Sequence, residues 1–469
     1  MIPRSSPRAC GFTLVELMIS MVISLIILAA MVGIFVNTSA SHREMEKTSG
    51  LIENGRIAAQ LLQDDLVHAG YWGGFVPQFD DFTVTAAPAD VPNAIPNACQ
   101  PYNTWNSSHR SNLLGIAVEA SDVLQSGAAC VSPLAKKDGT DVLIIRHAET
   151  CVPGVGNCPP DVAGRLYLQT SACKAEKSAG TAQGAASNTL ILSAGASTTS
   201  NIYTGLTLRT LSGIGAGQIN SVIAYNGGTR TATMSQPWSI IPDNTTTYAF
   251  EYVLGTSSFP LHKIDCVGTG TPASLPILGG TMADKRRFVS NIYYIHEYPH
   301  PDQAGDVIPT LVRSQLDVSA GALAQQAPVA LIEGIEVLRV VLGIDNVSDS
   351  GDPVNYTDAI DWADPTLKKS PTNRGDGAPD EFVRCTVATP CTAAELTDVV
   401  AVKLYMLVRS RDRTPGHRDD RTYCLGERNS DGTCAATNTI AAANDNYKRH
   451  VFSTSVRLVN ISARRETPP

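Results

Sequence analysis

The pattern of apolar and polar positions divides the chain into a long N-terminal helix and a β-rich remainder. Residues 12–36 form an apolar run of 25 positions that holds one ionisable side chain, Glu16, near its start. At ~1.5 Å per residue such a run spans a bilayer as a helix. A carboxylate in lipid costs roughly 2.5–3.5 kcal/mol on insertion scales, so Glu16 calls for a partner there. Beyond Val36 the run gives way to an amphipathic stripe at Met45, Thr48, Leu51, Gly55, Ala58, Leu62, Leu66 and Ala69, with Glu53, Arg56, Asp64 and Asp65 mostly off it. No proline interrupts residues 12–67, which predicts one helix roughly 85 Å long. Its first half belongs in lipid or a filament core; its second half packs its stripe on a globular head. Gly33 is either a soft point, since Gly costs about 1 kcal/mol against Ala in a helix, or a close helix contact.

Gly70-Tyr71-Trp72-Gly73-Gly74 ends the helix, and alternation with a period of two takes over. Residues 141–146, 288–296, 310–316, 337–344, 399–409 and 450–459 read as strands. No βαβ alternation appears. The predicted fold class is α+β: a long N-terminal helix, membrane-spanning in its first half, packed on an antiparallel β-rich head.

Charge and composition narrow the function. The net charge is −8, so there is no electrostatic footprint for nucleic acid. At 469 residues, 37 of them Gly and 28 Pro, the chain has room for more than one turn-rich folded unit. The leader, residues 1–11, carries Arg4 and Arg8 and no acid, which leaves it cytoplasmic by the positive-inside bias and places everything after Val36 across the membrane. Its small residue, Gly11, precedes the apolar run, so cleavage there retains the helix, unlike cleavage of a secretory signal peptide.

Of eleven cysteines, Cys10 lies in the leader. The others are Cys99, Cys130, Cys151, Cys158, Cys173, Cys266, Cys385, Cys391, Cys424 and Cys434. An even number in an exported head favours disulfides. Short separations suggest Cys151–Cys158, Cys385–Cys391 and Cys424–Cys434, which leaves Cys99–Cys130 and Cys173–Cys266; the pairing itself stays open. No CxxC or HxxxH spacing supports zinc, and no metal or cofactor is expected.

Gly11 followed by Phe12-Thr13-Leu14-Val15-Glu16 resembles the type IV prepilin signal. That resemblance implies cleavage between Gly11 and Phe12 by a prepilin peptidase, N-methylation of Phe12, and pairing of Glu16 with the terminal amine of a neighbouring subunit. Residues 53–56, 65–71, 288–294, 331–336, 398–409 and 451–456 resemble the PilW family of minor pilins. The implied role is a non-catalytic subunit that works with other minor pilins and the major pilin to prime pilus assembly at the inner membrane, its head in the periplasm. After assembly the resemblance places it in the pilus or at the cell surface, the tip and a tip adhesin included, in the service of twitching motility and adhesion. A J-type pseudopilin of a type II secretion system shares the signal and the fold plan. A membrane-anchored surface binding protein is the alternative from another class. The expected division is leader 1–11, membrane or filament-core helix 12–36, amphipathic continuation 37–70, head 71–187 and 254–469, and an inserted all-β module 188–253. The module, poor in charge, resembles a short β unit of bacteriophage tail proteins and reads as a spacer or an exposed binding surface.

Four stretches mimic other chemistry. Gly213-Ile214-Gly215-Ala216-Gly217 looks like a nucleotide loop but reads as a turn, because no helix follows. Arg374-Gly375-Asp376 matches the tripeptide that integrins read. Asp345, Asp349 and Asp352 suggest calcium without the EF-hand spacing. Arg146-His147-Ala148 resembles the RHG loop of histidine phosphatases, with Ala148 in the place of the Gly. The bland readings of turn, surface loop and strand are preferred for all four, and an enzyme is not expected.

Overall fold

The computed structural model describes residues 13–82, 87–88, 90–123, 136–170, 179–201, 203–204, 206–257, 259, 283–302 and 304–467. Helix α1, Leu14–His68, runs unbroken for 55 residues. Thr13 caps it and Ala69 closes it, after which Gly70 turns the chain at φ +73°. A side chain at Gly70 is excluded twice over, by that left-handed backbone and by Ile461, whose Cγ1 lies 2.7 Å from where a Cβ would sit.

The head is antiparallel throughout its described pairings. A four-stranded sheet runs in the order Glu381–Val383, Ile335–Ile344, Val399–Arg409, Arg449–Arg457. The second half of α1 packs mainly on the last two of these strands. Leu51, Gly55, Ala58, Leu62 and Leu66 form the buried stripe, and they share one apolar core with Leu338, Val402, Met406 and Val456. Gly55 is the point of closest approach, since a Cβ there would collide with the Phe452 ring.

A second sheet starts with Val118–Ser121, Val142–Ala148 and Lys285–Pro299. The long strand Lys285–Pro299 also pairs with Val307–Ser319. The observed strands are longer than the sequence pattern suggests, because buried polar groups such as Ser290 and Asn291 interrupt the apolar signal but not the hydrogen-bond ladder. The last strand is the exception. It stops at Arg457, and residues 459–465, the beginning of which the alternation assigns to a strand, form the short helix α4, Val459–Arg465. Burial of Ile461 and Arg465 against the head overrides the local β preference of Val459. Helix α2, Ser107–Gly115, was not expected; Asn106 caps it by accepting from His109 N at 2.7 Å.

Residues 188–253 belong to a unit with its own apolar core, in which Tyr203 stacks on Phe250 with centroids 4.9 Å apart and Leu190, Leu208, Val222 and Tyr225 pack alongside. That unit also takes in Ala179–Thr181 and Gly184–Ala186, paired to Thr247–Gly255 and Thr189–Ile191. The strand Thr247–Gly255 bonds to Leu206–Ser212 inside the unit and to Tyr167–Thr170 outside it. The two parts therefore share a continuous sheet.

Candidate functional site

The most distinctive surface is the first half of α1. Every residue from Leu14 to Val36 is exposed. Among the described residues α1 alone is long and apolar enough to cross a membrane, with a mean hydropathy of 2.8 over an 18-residue window of which none is buried. Ser20 and Ser24 satisfy their hydroxyls on carbonyls four residues back, at 2.8 and 2.7 Å, so neither leaves an open polar group on this surface. No other heavy atom lies within 4 Å of a Cβ built on Gly33, so it makes no close contact within this chain.

Glu16 sits at the outer end of this surface in a capping box. Its carboxylate accepts from Thr13 N and Thr13 Oγ1, both at 2.9 Å, while Glu16 N donates to Thr13 Oγ1 at 3.3 Å. In the single chain Glu16 thus has a local partner, and any intermolecular partner must compete with it. Gly11 and Phe12 lie outside the described residues.

The second half of α1 is clasped by a polar network that the sequence pattern did not reveal. Asp65 accepts from His147 Nε2, Asn291 Nδ2 and Tyr293 Oη, each at 2.9 Å. His147 Nδ1 faces the Ala148 carbonyl at 3.0 Å. Burial pushes the Asp65 carboxyl up, but the bonds from His147, Asn291 and Tyr293 outweigh it and hold the group below its ordinary value. One signal was available: Asp65 falls three residues after Leu62, on the buried side of the helix.

The same strand disposes of the phosphatase resemblance. Alternation sends Arg146 and His147 to opposite faces. Arg146 is fully buried and donates to Glu119 Oε2 and the Ile116 carbonyl, both at 2.9 Å. A phosphate cannot be held by both side chains at once.

A second buried network secures the far end of α1. Arg465 of α4 reaches Asp80 at 2.9 Å, Asp345 at 3.2 Å and Asp398 at 3.1 Å. Burial raises the carboxyl of Asp398 to about 6 despite the Arg465 cation. Burial opposes the charge of Arg465 as well, but Tyr356 and the three carboxylates keep it well above its ordinary value. Next to these contacts, Asn460 Nδ2 donates to the Val67 carbonyl at 2.9 Å and Arg464 to the Gly70 carbonyl at 2.5 Å.

This network also decides two of the look-alike motifs. Asp345 accepts from Asp376 N, Gly377 N and Arg465, so it is turned into the head and is not free to join Asp349 and Asp352 around a cation. Arg374 is 2% exposed and donates to the carbonyls of Asn355, Asn373 and Asp358. The Arg374-Gly375-Asp376 tripeptide therefore offers no guanidinium to a receptor. The glycines of 213–217 form a turn leading into the strand Ile219–Asn226, with Thr210 Oγ1 donating to the Gly215 carbonyl at 2.6 Å.

Disulfides join Cys151 to Cys158, Cys385 to Cys391 and Cys424 to Cys434. Cys99 is also disulfide-bonded; Cys130, Cys173 and Cys266 lie outside the described residues. Cys385 and Cys391 belong to the main core. An open groove of about 540 Å³ runs between α1 and the edge strand Arg449–Arg457, lined by Ile52, Arg56, Ala59, Gln63, Phe452 and Thr454.

Comparison with known proteins agrees with this geometry. Residues 292–460 match the family model described as Type IV Pilus-assembly protein W, and residues 6–32 match the one described as Prokaryotic N-terminal methylation motif. No curated protein matches the chain. A type IV-like pilin from Thermus thermophilus is similar at 15% identity over 37% of this chain and 79% of its own, with a TM-score of 0.16, too low to argue from.

Proposed function

We propose that this type IV pilin-family chain, with a PilW domain behind a prepilin methylation motif, acts as a minor pilin that primes or supports pilus assembly. The observation that carries the reading is the division of α1. One uninterrupted helix presents an unburied apolar half with a carboxylate at its outer end, while its other half is locked into a disulfide-stapled head. In the membrane that half spans the bilayer; in a filament it is covered by the corresponding helices of neighbouring subunits. Both environments satisfy the same apolar surface, so transfer from lipid to filament exchanges one apolar environment for the other.

In this reading a prepilin peptidase cuts between Gly11 and Phe12, Phe12 is methylated, and its amine takes a neighbour's Glu16 away from the Thr13 cap. Other minor pilins and the major pilin are the partners, with the head in the periplasm before assembly and in the pilus afterwards. The role is structural, and the module containing residues 188–253 serves as a spacer on the head. Glu16→Ala tests the proposal. Membrane insertion should persist or improve while pilus assembly fails; unaltered piliation would refute the role of Glu16. Mass spectrometry of sheared pili should recover a peptide beginning at methylated Phe12. Recovery of the processed protein in the membrane fraction alone would favour a secretion pseudopilin.

A further inference from the structure

We infer that the turn at residues 414–417 and the arginines beside it form a membrane-facing foot that rests on anionic lipid headgroups before assembly. The inference depends on the preceding reading that the first half of α1 lies in the bilayer.

The foot is defined by where the head first meets the helix. Lys47 Nζ donates to the Arg413 carbonyl at 2.8 Å, and Thr414 Oγ1 donates to Glu44 Oε2 at 3.2 Å. From residue 413 to 414 the chain thus steps down α1 toward its apolar half. His417 N closes the turn on the Thr414 carbonyl at 3.1 Å, leaving Pro415 and Gly416 exposed at its tip. Glu44 lies eight residues beyond Val36, or ~12 Å along the axis. Headgroups extend the hydrocarbon core by roughly 5–8 Å on each side, and helices tilt by about 20° on average. The foot is therefore within a Debye length, ~8–10 Å, of the bilayer surface.

Its charge suits an anionic surface although the chain as a whole is acidic. Residues 410–421 hold four arginines and three aspartates, and one of those aspartates, Asp419, is buried against Arg449 at 3.1 Å. Glu44, the acid nearest the turn, is neutralised by Lys448 at 2.7 Å and Lys47 at 3.3 Å. Arg413 keeps 58% of its side chain exposed, with only a loose contact to Asp306 at 3.5 Å. Arg418 is exposed and meets a neutral partner, Asn444, at 3.2 Å. Arg43 on α1 adds a third exposed cation at the same level, its Nε donating to the Ser39 carbonyl. Exposed Glu46 and Asp420 are the acids that oppose them. Each cation near an anionic leaflet contributes roughly a fivefold bias toward contact.

The test uses the full chain, one copy per nanodisc, in discs of phosphatidylglycerol or of phosphatidylcholine, with hydrogen exchange read at residues 411–421. Slower exchange in the anionic discs, lost in 0.5 M salt and in Arg413→Gln/Arg418→Gln, is the expected result. Because each disc holds one copy, such protection cannot come from a neighbouring subunit. Equal exchange in both lipids by a chain held in the discs would overturn the foot while leaving the membrane helix intact. Failure of the chain to enter discs of either lipid would instead overturn the membrane reading, and the foot with it.

Discussion

The two halves of α1 belong to one helix, yet they answer to different surroundings. From Leu14 to Val36 apolar side chains point in all directions and none is covered. From Leu51 to Leu66 a narrow stripe is buried, and charged residues such as Glu53 and Arg56 pair with each other on the solvent side at 2.8 Å. A helix that is apolar all round needs an apolar medium, whereas an amphipathic one needs only a face to pack against. The chain thus satisfies the second half itself and leaves the first to a bilayer or to other subunits. The contrast teaches that the amount of apolar surface says little about where a helix belongs; its distribution around the axis says more.

The strongest way to break this contrast is to release the clasped half while leaving the free half untouched. Arg465→Ala leaves Asp80, Asp345 and Asp398 buried without their cation. It should cost about 3–5 kcal/mol, read as a lower denaturant midpoint of the head with an unchanged helix in lipid. Leu62→Ala should cost roughly 2–5 kcal/mol, whereas Ile26→Ala should leave the melting temperature in detergent unchanged. Similar losses at the two sites would mean that the first half is buried within the folded chain after all. Gly55→Ala drives a methyl into the Phe452 ring, and overpacking of this kind costs typically 1–3 kcal/mol. A stability equal to that of the parent would place the helix farther from the strand than the structure does.

The smallest effect is a pH signature with opposite signs at the two networks. Asp65 is held below its ordinary range, so its contribution is present above the unfolded pKa and fades as pH falls through the lower folded value. Asp398 titrates near 6, above its unfolded value of about 3.9. Between those two values the folded state holds more protons, and stability falls as pH rises, by at most roughly 1.4 kcal/mol per pH unit. Urea unfolding at pH 4 to 6.5 should show this slope, and Asp398→Asn should flatten it. Asp65→Asn should instead flatten the loss seen on acidification below about pH 4. An Asp398→Asn profile parallel to that of the parent would remove Asp398 as the source.

Helix length, the change from an all-round apolar run to a stripe, the break at Gly70 and the alternating strands were legible in the sequence because they are local. Their periods are set by backbone geometry and recur within a few residues. The prepilin-type run at the N-terminus was legible for the same reason, being a contiguous string. What holds the helix to the head was not. Arg465 and Asp80 are 385 residues apart, and Asp65 and His147 are 82 apart. No spacing rule links such pairs, and each of these residues taken alone looks like ordinary surface charge. Only folding puts them in a low-dielectric interior where an unpaired charge is costly and a partner becomes necessary. The sequence alone determined that the chain has a long helix with one half for an apolar medium and one half for a head. The tertiary structure decided which charges bind that head to it, because burial, not residue type, sets what a charge must do.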